Sequence, residues 1–197
     1  MSDDELVADT TEGYTVSTKL SVNEYVSLDA EDDSLVKWKQ SLGLACGTPL
    51  EVAAGDNRKV VILSLGLEIQ GHDPIVVDTT QAGALDELRR TPIVLKEGSL
   101  YRVKIRFRVQ HEIITGLRYL QLVKRKGLRV DKSDEVCGSY SPNTVDRPEY
   151  EKTFLEEEAP SGMLARGTYD VVSKFVDDDD STHLQFQWTL QIKKTWD

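Results

Sequence analysis

LYRVKIRFRV, residues 100–109, is the stretch that decides the fold. Tyr101, Val103, Ile105, Phe107 and Val109 alternate with Arg102, Lys104, Arg106 and Arg108. In an extended chain this puts the apolar side chains on one face and the charges on the other, so the pattern predicts a half-buried β-strand. Lys96-Glu97-Gly98 supplies a turn ahead of it. Upstream, from about residue 58, Leu63, Leu65, Leu67 and Ile69 alternate with Ser64, Gly66 and Glu68, which predicts a second strand with those four residues on one face. Further strands are predicted at 75–78, 93–95, 117–124, 128–136, 149–154, 168–176 and 184–193, with a helical turn or two over 82–90. Lys126-Gly127, Gly138-Ser139, Asn143, Pro160-Ser161-Gly162 and Asp177 to Asp180 punctuate them. Many short strands without a strand–helix–strand rhythm imply an all-β fold, an immunoglobulin-like antiparallel β-sandwich.

The remainder of the 197-residue chain reads differently. Acids outnumber bases 34 to 24, for a net charge of −10. Most of that lies in residues 1–56, which hold twelve acids and three bases, while the rest is close to neutral. The reading is a flexible acidic arm (1–56) with short helices, followed by a sandwich domain (57–197). Ser21 and Glu24 have capping-box spacing ahead of Tyr25, Val26 and Leu28. Asp32, Asp33 or Ser34 could cap a second helix, in which Leu35, Trp38 and Leu42 share a stripe and Gly43 ends the run. Helices this short need something to dock on, either the chain's own domain or a partner.

The charge argues against general nucleic-acid binding and against simple attachment to anionic membranes. The N-terminus has no basic-then-apolar leader, no apolar run approaches the ~20 residues of a membrane span, and neither end carries a lipidation signal. A soluble cytosolic protein with reduced Cys46 and Cys137 is expected.

No catalytic or metal-ligand pattern stands out. His72, His111 and His183 occupy no nucleophile or metal motif and read as surface or turn residues. Asp177 to Asp180 invite a calcium reading, but no EF-hand spacing follows. A solvated turn, or contact with a basic partner, accounts for the same run. Residues 85–132 hold thirteen bases against five acids, yet Tyr101 and Phe107 point away from the basic strand face, so a solvated sheet face is expected there. In the last strand Leu184, Phe186, Trp188 and Leu190 alternate with Gln185, Gln187 and Thr189. That face either fills the core or lines a cavity between splayed sheets.

Five blocks resemble one family: LDAEDDSLVKWKQSLGL (28–44), LKEGSLYRVKIRFRVQHEIITGLRYLQ (95–121), VCGSYSPN (136–143), EEAPSGMLARGTYDVVSKFVDDDD (157–180) and HLQFQWTLQIKK (183–194). They are similar to the Rho GDP-dissociation inhibitors over nearly the whole chain. The resemblance implies a regulator without enzymatic activity, cofactor or metal. It implies an arm that folds on the switch regions of a Rho-family small GTPase (the Rho and Rac types and their relatives), and a sandwich that sequesters the GTPase's geranylgeranyl group. Such a protein slows GDP release and extracts the GTPase from membranes into the cytosol as a 1:1 complex of two monomers. Carried over residue by residue, Tyr14, Asp32, Ser34, Trp38 and Asp179 fall on GTPase-contacting positions, and Leu65, Leu67, Phe107, Leu164, Val171, Phe186 and Trp188 on or beside isoprenoid-lining ones. Arg106 stands where many relatives have a small or phosphorylatable residue and Thr168 where serine is common, while Phe186 replaces a common Trp and Trp38 a common Tyr, both keeping an aromatic ring. Two other classes remain: a general prenyl-binding carrier indifferent to nucleotide state, and a calcium-dependent β-module.

Overall fold

The computed structural model describes Leu6, Glu24, residues 31–35, Lys37 and residues 48–196. Tyr14, Ser21, Trp38 and Cys46 lie outside the described residues, as does most of the predicted arm.

Two sheets face each other. One runs β2 (Ile75–Asp78), β1 (Val60–Ile69), β4 (Leu100–Val109), β7 (Tyr150–Glu158). The other runs β3 (Ile93–Lys96), β9 (Thr182–Lys193), β8 (Gly167–Val176), β5 (Ile114–Arg125), β6 (Leu128–Tyr140). The helical signal at 82–90 is α1, Ala84–Arg90, which buries Leu88.

β4 has the predicted bounds and the predicted faces. Val103, Ile105, Phe107 and Val109 are buried in the core, with Tyr101 packed against it. The opposite face is held by charge pairing. Arg102 reaches Glu156 at 3.1 Å, Lys104 lies between Glu68 (3.1 Å) and Glu151 (2.9 Å), and Arg106 grips Glu149. Glu68 of β1, Glu151 and Glu156 of β7 and Glu149 just ahead of β7 thus pair with the basic strand face.

Two expectations need correction. In β1, Leu63 does not share a face with Leu65, Leu67 and Ile69. A bulge at Leu63 places Ile62 opposite Phe107 and Ser64 opposite Arg106. Val60 and Ile62 therefore face inward before it, and Leu65, Leu67 and Ile69 after it. The sandwich is also not wholly antiparallel, because β3 runs parallel to β9, with Ile93 opposite Leu190. The chain leaves the edge of one sheet at β2 and reaches the edge of the other through α1. This crossover lets two neighbouring strands point the same way. Thr189 on β9 donates its hydroxyl to the Arg89 carbonyl of α1 at 3.0 Å and fixes the crossover.

The outer face of the second sheet carries a separate small cluster, in which Leu6 is buried against Leu120, Leu122, Val172 and Val176.

Candidate functional site

β4, β6 and β8 begin, and β5, β7 and β9 finish, at the same end of the sandwich. At that end the sheets leave a cavity of about 350 Å³. Small-molecule pockets typically run from about 300 to 1,000 Å³. Val103, Val123, Val171, Trp188, Leu190 and Ile192 form its apolar wall. Strand alternation explains the set: Val171 lies opposite both Val123 and Trp188, so three strands present inward side chains at one level. Val130, Asp131, Glu158 and Pro160 line the same cavity and are exposed, so they mark its mouth.

The wall is anchored by a buried polar chain. Trp188 Nε1 donates to Ser173 Oγ at 2.9 Å, Ser173 Oγ shares a hydrogen bond with the Tyr119 hydroxyl at 2.8 Å, and Tyr119 donates to Gln121 Oε1 at 2.8 Å. Ser173 is fully buried, so these partners are what make its burial tolerable. Burial pushes the Tyr119 phenol well above the usual tyrosine range and keeps it a neutral donor. On the other wall Tyr101 donates to Glu157, and burial, then that carboxylate, raises its pKa as well. Buried hydroxyls, an amide and branched apolar chains can hold an elongated hydrocarbon.

Around the mouth, Arg125 bridges the β5–β6 hairpin to the β7–β8 loop. Its guanidinium donates to the carbonyls of Leu164 and Arg166 and lies 5.1 Å over the Tyr169 ring. Glu97 holds the same loop from below. It accepts from Arg166 Nε at 2.9 Å, Arg166 Nη2 at 2.7 Å and the Gly162 amide at 2.9 Å. The Arg166 hydrogen bond, then the Gly162 amide, keeps its carboxyl below the usual range.

The acidic turn lies at the other end of β8. Asp177 is its organiser. Its Oδ1 accepts from the amides of Asp179 (3.0 Å) and Ser181 (2.9 Å), and its Oδ2 meets His183 Nε2 at 2.9 Å. Burial alone would raise the Asp177 pKa, but the hydrogen bonds from His183 and the two amides win and lower it. His183 is therefore not a surface residue, since its side chain is 4% exposed. The turn consumes the Asp177 carboxylate internally. Among the described residues no group of three or more His, Cys, Asp or Glu is arranged to hold a metal ion. Cys137 is a buried free thiol that burial pushes up to about 12, so it is protonated and inert at neutral pH.

In the arm, residues 33–35 are helical, and Asp32 Oδ1 accepts from the amides of Ser34 (2.9 Å) and Leu35 (3.3 Å). Asp32 is the N-cap, and both it and Ser34 are exposed.

A family model described as RHO protein GDP dissociation inhibitor matches residues 1–195. The chain belongs to the Rho GDP-dissociation inhibitor family. It is 51% identical to the Rho GDP-dissociation inhibitor of Saccharomyces cerevisiae over 183 residues, covering 92% of this chain and 90% of that protein. The inhibitor of Schizosaccharomyces pombe is 46% identical over 178 residues, 90% of this chain and 84% of that one. Rho GDP-dissociation inhibitor 1 of Homo sapiens is 41% identical over 184 residues, with coverages of 93% and 86%. The function is Rho GDP dissociation inhibition, exerted on Rho-family GTPases.

With the family established, its carried-over positions sort as follows. Val171 and Trp188 line the cavity. Leu65, Leu67, Phe107 and Phe186 are buried in the core around it rather than in its wall. Leu67 faces the wall residue Val103 across the β1–β4 ladder. Leu164 is exposed on the β7–β8 loop, and its carbonyl accepts from the Arg125 that rims the mouth. Asp179 stands on the acidic turn, away from the cavity. The alternation places Tyr101 and Val103 on an inward face without assigning them to a cavity, and leaves the face that carries Leu190 open between core and cavity wall. It did not single out Gln121, Val123, Arg125, Tyr169 or Ile192.

Proposed function

We propose that the cavity takes the C-terminal geranylgeranyl group of a Rho-family GTPase, and that the chain extracts the GDP-bound GTPase from membranes into the cytosol without catalysing any reaction. The observation that supports this most directly is the 350 Å³ apolar space walled by Val103, Val123, Val171, Trp188, Leu190 and Ile192 in a family that acts on GTPases. Burying the lipid is worth about 0.8 kcal/mol per methylene, close to what a bilayer returns. Extraction then depends on protein contacts made in addition. In this reading the arm, residues 1–56, supplies them through Asp32, Ser34, Tyr14 and Trp38 against the switch regions, and Asp179 adds a contact to a basic residue of the GTPase. The partners form a 1:1 complex. Holding the switch regions around GDP slows its release.

Tyr169 at the cavity and Val176 before the acidic turn are seven residues apart on one extended strand, roughly 25 Å. A GTPase domain seated at the turn therefore reaches the cavity through an extended C-terminal tail. The test is a calorimetric titration with a geranylgeranylated C-terminal peptide of the GTPase. The full chain should bind it, and Val123→Trp, which fills the cavity from its wall, should not. Equal binding by a folded Val123→Trp variant would place the lipid elsewhere.

A further inference from the structure

The mouth of the cavity carries exposed apolar side chains that the inter-sheet core does not use. Leu128 is 74% exposed and Val130 53% on the β5–β6 hairpin, and Met163 is 81% and Leu164 88% exposed on the β7–β8 loop. Arg125 joins these two segments through the Leu164 and Arg166 carbonyls. The four apolar side chains thus belong to one rim around one opening. Large apolar groups held outward on fixed backbone mark a contact surface.

The fixing is specific. Lys126 and Gly127 both have positive φ, 50° and 80°, which makes the two-residue turn of a tight hairpin and lifts Leu128 at its far side. Glu97 pins the loop through Arg166 and the Gly162 amide. At Gly167 (φ 138°) an added Cβ would come 3.0 Å from Arg125 Nη2, so a side chain there would crowd the bridge.

Charge indicates what the rim meets. In a chain of net charge −10, the hairpin segment KRKGLRVDK (124–132) carries five bases and one acid. Lys126 and Arg129 are exposed beside Leu128 and Val130. The opposite side of the mouth is acidic: there Glu157 is engaged by Tyr101, while Glu158 is exposed across the opening from the hairpin. Exposed Leu, Val and Met flanked by Lys and Arg suit the boundary of an anionic bilayer. There the apolar groups enter the acyl region and the cations stay among the headgroups.

We propose that this rim docks transiently on anionic lipid bilayers, setting the mouth of the cavity against the surface. The docking is a property of the chain alone. Only its purpose, receiving a lipid drawn from the same surface, rests on the pocket reading above.

The test uses the full chain, no GTPase, and sedimentation with phosphatidylcholine vesicles with or without phosphatidylserine. The wild type should bind the phosphatidylserine vesicles weakly, and less as salt rises. Each basic residue near the surface is worth about fivefold in affinity, so the double variant Lys126→Ala/Arg129→Ala should lose roughly 25-fold. Leu128→Ser/Met163→Ser should also lose binding while keeping the wild-type circular dichroism and urea midpoint. Absence of wild-type binding at low salt, or equal binding by folded variants, overturns the proposal. So does vesicle binding that both variants leave unchanged while their affinity for a GTPase, titrated separately, falls, which would make the rim a protein contact. Bare vesicles contain no prenylated GTPase, so failure here leaves the pocket reading standing. Failure of the Val123→Trp titration leaves this one standing.

Discussion

Replacing Trp188 with alanine separates a lipid wall from an ordinary core. Trp188 is 4% exposed, donates from Nε1 to Ser173 Oγ at 2.9 Å, and borders the cavity. Truncating a buried tryptophan costs about 3 to 5 kcal/mol; the lower end applies here, because the side chain already borders empty space. Trp188→Phe keeps most of the volume and loses chiefly one hydrogen bond, about 1 kcal/mol. A tryptophan buries about 150 to 250 Å², so a third of it against lipid is about 60 Å². At about 25 cal/mol per Å² that area contributes about 1.5 kcal/mol, or slightly more than tenfold in affinity. The assay is a fluorescence titration against geranylgeranylated and unprenylated GTPase, both loaded with GDP, beside urea unfolding of each variant. Trp188→Ala should weaken binding of the prenylated protein about tenfold and of the unprenylated protein by less than about twofold. Equal losses with both would refute the assignment and leave Trp188 as packing alone.

Three further outcomes follow from the turns and the cap. Asp177 has a lowered pKa in the folded chain, so its stabilisation is present above the unfolded value of about 3.9 and disappears as pH falls through the folded one. Asp177→Asn should therefore be less stable than wild type near neutral pH, and the urea midpoints should converge on acidification; a constant gap would contradict the role given to the carboxylate. At Gly116 the φ is 57° and an added Cβ would fall 2.0 Å from the Asp178 carboxylate. Gly116→Ala should cost about 1 to 2 kcal/mol in urea unfolding and lower GTPase affinity by displacing the turn that carries Asp179, and unchanged stability would count against it. Asp32→Arg removes the cap of an exposed helical turn, worth about 1 kcal/mol locally, so the melting temperature should hold while GTPase binding falls. Full affinity in that variant would remove Asp32 from the interface.

The sandwich was legible because its strands obey a period of two. β4 alternates without interruption, and the turn residues fall between strands. Inward faces follow from that rule, but two things it cannot encode were missed. One is the extra residue at Leu63, which reverses the parity of β1 because a bulge is set by both partner strands. The other is the parallel β3–β9 pair, which depends on where α1 delivers the chain. The same limit governs the site. Alternation tells which residues face inward, not at which level the sheets part. Phe186 and Trp188 share a face, yet Phe186 is packed into the core and Trp188 borders the cavity. Along β4, likewise, Phe107 lies against Tyr140 and Tyr150 while Val103 meets the void. Gln121 carries no apolar signal; its role appears only through its bond to Tyr119. His183 looked like a turn residue because the partner that buries it, Asp177, closes on it only when the turn folds.

Membrane extraction tests the central claim most directly. Liposomes carrying a geranylgeranylated, GDP-bound Rho-family GTPase are mixed with the full chain or with Val123→Trp, and the supernatant GTPase and the rate of GDP release are measured. The wild type should move the GTPase into the supernatant and slow GDP release. Val123→Trp should still slow release from unprenylated GTPase but leave the prenylated protein on the membrane. Extraction by a folded Val123→Trp variant at the wild-type level would contradict the account, because the lipid would then be held outside the cavity between the sheets.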